Sequence, residues 1–154
     1  MNIQTGNKWD VHLKNASEHI KIADNMAYVG FSILGEIRII MKILTELSKA
    51  SVELIKSYLY YESSKGRVRL YADPVMNLES FFITVGPKYL SRGDLDGIKR
   101  ILQIEKRHKE ASIEFVRKDK FVIMVGDRYE VISIGSVREL LRSVRLAFSR
   151  FPKA

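Results

Sequence analysis

The sequence predicts a mostly α protein, a helical bundle of about five helices with one β-hairpin (about 119–134) before the C-terminal helix. Three observations carry this expectation. Apolar residues recur at alternating three- and four-residue spacings along most of the chain. One stretch, Lys120 to Ile134, changes to a pattern rich in Val, Ile, Phe and Tyr, interrupted by Gly126-Asp127. Helix-start signatures stand ahead of the periodic segments at Asp73-Pro74, Ser91 and Ser136. With 154 residues, 46% apolar content and no repeat or Pro/Ser-rich linker, residues 1–154 read as a single domain.

The first helix spans Lys8 to about Tyr28, because Trp9, Leu13, Ala16, Ile20, Ala23 and Ala27 form one stripe. Gly30 and Gly35 bracket a break. Ile37, Ile40, Leu44, Leu47, Leu54, Tyr58 and Tyr61 then carry a long second helix, whose outer face alternates sign through Lys42, Glu46, Lys49, Glu53 and Lys56. Gly66 ends it, and Arg67 to Tyr71 reads as an extended connector.

Asp73 caps a third helix with Pro74 at its first position, and that helix ends before Gly86-Pro87. Ser91 and Asp94 form a capping pair for a fourth, with Ile101, Ile104, His108, Ala111 and Phe115 inward and Gly93 and Gly97 as helix-start residues. In the hairpin, a Gly126-Asp127 loop sets Met124 opposite Tyr129 and Val122 opposite Val131, so this apolar face is expected to lie on the bundle. Phe121, Ile123, Val125, Ile132 and Ile134 would then be surplus apolar surface. Ser136 with Glu139 is a capping box for the last helix, which buries Val137, Leu140, Leu141, Val144, Phe148 and Phe151.

Net charge is +8, with +2 in residues 1–77 and +6 in residues 78–154. Clustered Lys and Arg create a field that attracts polyanions. At 100° per residue, Arg138, Arg142, Arg145 and Ser149 fall within an arc of roughly 60° on the last helix, with Arg150 and Lys153 at the rim. The planar guanidinium fork matches phosphate oxygens, which makes this stripe a candidate backbone contact. A second cluster, Lys99, Arg100, Lys106, Arg107 and Lys109 followed by Arg117, Lys118 and Lys120, is diluted by Glu105, Glu110, Glu114 and Asp119. Tyr71 is the expected exposed aromatic.

Cysteine is absent, which excludes disulfides, thiolate metal sites and cysteine nucleophiles. The longest uncharged run, Asn25 to Gly35, has eleven residues, and the segment Met1 to Lys8 is polar, so no membrane partner and a cytoplasmic location are expected. His12 and His19 lie seven residues apart, too far for an ordinary single-metal pair on a helix. No phosphate loop, nucleophile elbow or zinc motif occurs, and no cofactor or metal is expected.

The segments Ala16-Ser17-Glu18-His19-Ile20-Lys21-Ile22-Ala23 and Leu47 to Leu59 resemble the HEPN superfamily of small helical bundles, over roughly the first 65 residues. Ile113 to Met124 is similar to uncharacterised archaeal proteins. The HEPN resemblance implies a bundle, RNA as a partner, and either metal-independent ribonuclease activity or association with nucleotidyltransferases. HEPN nucleases carry an Arg separated from a His by four to six intervening residues. The positions five, six and seven before His108 are Gln103, Leu102 and Ile101, and His12 and His19 also lack a preceding Arg at those spacings.

The leading expectation is therefore a non-catalytic RNA-binding module acting through its basic C-terminal helices. The alternatives are a homo-oligomeric or partner-docking module, and a degenerate HEPN-like ribonuclease built on His108 with Glu105 or on His12 with His19.

Overall fold

The computed structural model describes residues 7–152; the expected rim residue Lys153 lies outside them. Helix α1 (Lys8–Asn25) continues through a π turn, Met26–Gly30, into a last α turn, Phe31–Leu34. Helix α2 (Ile39–Ser64) runs back along it. Ala16, Ala23 and Ala27 are fully buried where the two meet, small residues that let the backbones approach. Two rungs tie the outer edge of this antiparallel pair: His12 Nδ1 lies 2.5 Å from Glu53 and His19 Nδ1 2.6 Å from Glu46.

Helix α3 (Pro74–Ser80) begins as the Asp73-Pro74 signature predicts, Asp73 accepting from the Val75 amide, and continues through a π turn, Phe81–Val85, to a final turn, Gly86–Tyr89. Helix α4 (Arg92–Glu110) is capped by Ser91, which accepts from the Asp94 amide. Strands β1 (Ile113–Arg117), β2 (Lys120–Val125) and β3 (Arg128–Ser133) form an antiparallel sheet in that order, and helix α5 (Ile134–Ser149) closes the chain. At the centre Tyr58 is fully buried among Phe81, Tyr89 and Phe151, and its hydroxyl donates to the Ala147 carbonyl at 2.6 Å. Burial pushes this phenol well above its ordinary range.

Six expectations are corrected. Gly30 does not break the first helix: the π turn absorbs it, and only Gly35, at φ 60°, ends the segment. The third helix likewise passes Gly86-Pro87, because the π turn places Pro87 in the first turn of a new α segment, where its missing N–H costs nothing.

The fourth helix stops at Glu110, so Ala111 and Phe115 are not on its stripe. Ile113 to Arg117 alternates and pairs with β2, adding a third strand to the hairpin, and His108, instead of joining the apolar stripe, pairs with Glu114 of β1, 2.5 Å away. Gly97 lies inside α4 rather than at its start. A Cβ there would sit 2.7 Å from Ser143 Oγ and 3.0 Å from Ser143 Cβ, so glycine permits the close crossing of α4 and α5.

The cap of α5 is Ser133 with Ser136, one turn earlier than Ser136 with Glu139. The hairpin register is as expected, with Met124 opposite Tyr129 and Val122 opposite Val131. Its facing is reversed. Phe121, Ile123 and Ile132 lie in the core, while on the other face Tyr129 and Val131 are exposed and Val122 alone is buried, covered by its neighbours on the strands. The physical cause is Glu130, a buried carboxylate on the inner face that receives Arg100 and Arg107 from α4. The face carrying an acid is the inner one because two guanidinium groups meet it there.

Candidate nucleic-acid interface

The π turn of α1 sets the geometry of the candidate site. Within it the Phe31 amide bonds back to Met26, so the Ala27 carbonyl loses its ordinary α-helical partner. Arg138 supplies the replacement, donating Nε at 3.2 Å and Nη2 at 2.9 Å to that oxygen. Its guanidinium lies 4.8 Å from the Tyr28 ring centre and 5.7 Å from that of Phe31. Arg138 is thereby held in one orientation with guanidinium N–H groups to spare.

Arg138, Arg142, Arg145 and Ser149 line one groove of about 480 Å³ between the end of α1 and α5, with Tyr28, Glu139, Leu141 and Leu146 completing its walls. Arg145 donates to Asp24 on α1 at 3.0 Å, through a pair more than 40% exposed at each end. Arg142 reaches Glu139 only at 3.9 Å and is 73% exposed. Three guanidinium groups against two carboxylates leave the groove cationic. These exposed pairs contribute little to stability, about 0–1 kcal/mol each, so an incoming phosphate displaces them at small cost.

The second predicted cluster does not join this groove. Arg100 and Arg107 both bind Glu130 of β3. Lys99 stands over the Phe82 ring, and Lys106 is exposed elsewhere on α4. Arg117, Lys118 and Lys120 lie at the exposed turn between β1 and β2, not at a helix end. Arg150 is exposed just past the end of α5. Tyr71 carries Arg69 against its ring, at 5.4 Å, rather than standing free.

All three histidines meet glutamates: His12 with Glu53, His19 with Glu46, His108 with Glu114. Glu105 is not the partner of His108; it accepts from Thr45 at 3.3 Å. His12 also stacks on Tyr60. Among the described residues, no group of three His, Asp or Glu side chains is arranged to hold a metal ion. No described helix is long and apolar enough to cross a membrane.

No protein family, curated protein or solved structure matches this chain. The site is therefore read from its own chemistry. Tyr28, the ring that orients Arg138, was invisible in the sequence because its position continues the α1 stripe only approximately and its role depends on α5. Glu62 was also missed. Its fully buried carboxylate, two residues before the end of α2, accepts from Arg67 and from the Tyr89 hydroxyl at 2.6 Å, with Lys88 3.7 Å away. Desolvation raises the Glu62 carboxyl, but the hydrogen bonds from Tyr89 and Arg67 and the nearby cations outweigh it and leave it below its ordinary value. Burial and that same carboxylate push the Tyr89 phenol up to about 12.

Proposed function

We propose that the protein is a non-catalytic RNA-binding module that takes the sugar-phosphate backbone in the groove between α1 and α5. The reading is supported by one observation above the others: Arg138, Arg142, Arg145 and Ser149 line a single groove, with Arg138 already oriented by Ala27 and Tyr28. Preorganised guanidinium forks bind phosphate with less entropy lost on ordering. Arg142 and Arg145, being the more exposed, are the phosphate contacts, and Arg138 anchors the floor. The net charge of +8 favours any polyanion, and RNA is the partner that the resemblance of residues 16–23 and 47–59 to HEPN sequences implies.

Filter binding against a structured RNA at rising salt tests the reading. A double Arg142→Ala, Arg145→Ala variant is expected to weaken binding and to reduce the slope of log affinity against log salt by about 2. Unchanged affinity and slope would remove the groove from consideration.

A further inference from the structure

We propose that the outward face of the sheet is a platform for single-stranded nucleic acid, with Tyr129 and Phe115 stacking bases and Arg117, Lys118 and Lys120 holding phosphates. It extends the RNA-binding reading to a second surface and stands on separate residues.

The register builds this face in three rows. Ile113, Met124 and Tyr129 form one, Phe115, Val122 and Val131 the next, and Arg117, Lys120 and Ser133 the last. Ile113 is 56% exposed and Tyr129 69%. Charge is segregated by sheet face. Both acids of the strands, Glu114 and Glu130, turn inward to His108 and to Arg100 and Arg107. The charged side chains of the three outward rows are cations alone; in the turn beside them Lys118 adds a further cation and Asp119 one acid, 3.7 Å from Lys120, which leaves this end with a net positive charge. An apolar surface with one exposed ring, Tyr129, a half-buried second, Phe115, and a cationic end is complementary to a polynucleotide strand, which offers bases to the rings and phosphates to the cations.

Size decides between this occupant and a second copy of the chain. Three strands about five residues long cover roughly 250 Å². A stable protein interface buries about 800 Å² of accessible surface on each partner, more than so small a face supplies alone. It accommodates about two or three bases, the number that sheets with exposed aromatics stack.

The β1–β2 turn adds an independent sign. Lys118 is the single non-glycine residue with positive φ, 57°, among the described residues. Glycine or asparagine would adopt that conformation at lower cost. The residue that takes this strained conformation is a lysine, and its charge stands at the cationic end of the face.

The full chain is titrated into end-labelled oligouridylate and into the same strand paired with oligoadenylate, with anisotropy as the readout. The single strand is expected to bind more tightly. Tyr129→Ala should weaken it about ten-fold, and Tyr129→Trp should retain binding, because any aromatic face serves. Lys118→Gly should raise Tm while weakening the same binding, a combination that a purely structural lysine would not produce. Equal affinity for strand and duplex, or an unchanged Tyr129→Ala titration, overturns the proposal. It is also overturned if light scattering shows a dimer that Tyr129→Ala splits, since a second copy then covers the face. Loss on Tyr129→Ala with none on Arg142→Ala, Arg145→Ala would keep the sheet site and reject the groove; the reverse would reject the sheet and keep the groove.

Discussion

Arg138 and Ala27, 111 residues apart in sequence, are joined by two hydrogen bonds from one guanidinium to one carbonyl oxygen. The bond pair docks the start of α5 on the π turn of α1. Arg138→Lys keeps the charge but has no planar fork with which to donate twice while stacking on Tyr28. We expect a loss of about 1–2 kcal/mol in urea denaturation, from the carbonyl left poorly satisfied and the lost cation–π contact. A Lys variant as stable as the parent would show that the π turn is satisfied by other means.

Stability should fall at acid pH through Glu62. Its folded carboxyl lies below the ordinary value of 4.5, so its contribution is fully present above that pH and is lost as pH falls toward and through the lowered folded value. Glu62→Gln should flatten this acid limb of the Tm profile. Arg67 and Lys88 are 47% and 42% exposed and rehydrate when the charge is removed, so the neutral-pH cost is about 1–2 kcal/mol rather than that of a buried orphaned charge. An acid limb identical in parent and variant would assign the transition to other carboxylates.

Gly97→Val should destabilise the crossing of α4 and α5 by about 1–3 kcal/mol, since the added carbons meet Ser143 within a closed contact. Ser143→Gly in the same chain should recover part of the loss. Thermal denaturation of the two single variants and the double variant measures the coupling, and strictly additive effects would show that the residues do not share the contact.

Glu130→Ala removes the shared acceptor of Arg100 and Arg107 and leaves apolar β3 neighbours to cover the space. Both arginines are about half exposed and regain water, so the expected cost is about 1–2 kcal/mol rather than global unfolding. Hydrogen exchange should locate the effect, with faster exchange of β3 amides and little change in α2. Uniform acceleration across the chain would show that Glu130 supports the whole bundle.

Most helix boundaries were legible because they are local. Asp73-Pro74 and Ser91 act on backbone amides two or three residues away. The stripe Val137, Leu140, Leu141, Val144 becomes the buried side of α5 because 3.6 residues per turn requires it. The π turns were not legible: Gly30 and Gly86-Pro87 resemble breaks, and only packing against Ile39 and Leu95 reveals that the helices run through them. Strand β1 was hidden because Ala111 and Phe115 also continue the α4 spacing, and the competition is settled by pairing with β2.

For the candidate site, the chain alone determined that Arg138, Arg142, Arg145 and Ser149 share a side of one helix and that the hairpin pairs Met124 with Tyr129, since both follow from backbone periodicity. Tertiary structure decided which arginines remain open and which sheet face meets water. Those outcomes depend on partners brought close only by folding: Ala27 and Asp24 of α1 for the arginine stripe, Arg100 and Arg107 of α4 for Glu130. A carboxylate reads as a surface residue until two cations are known to wait inside, and no spacing along the chain encodes that meeting.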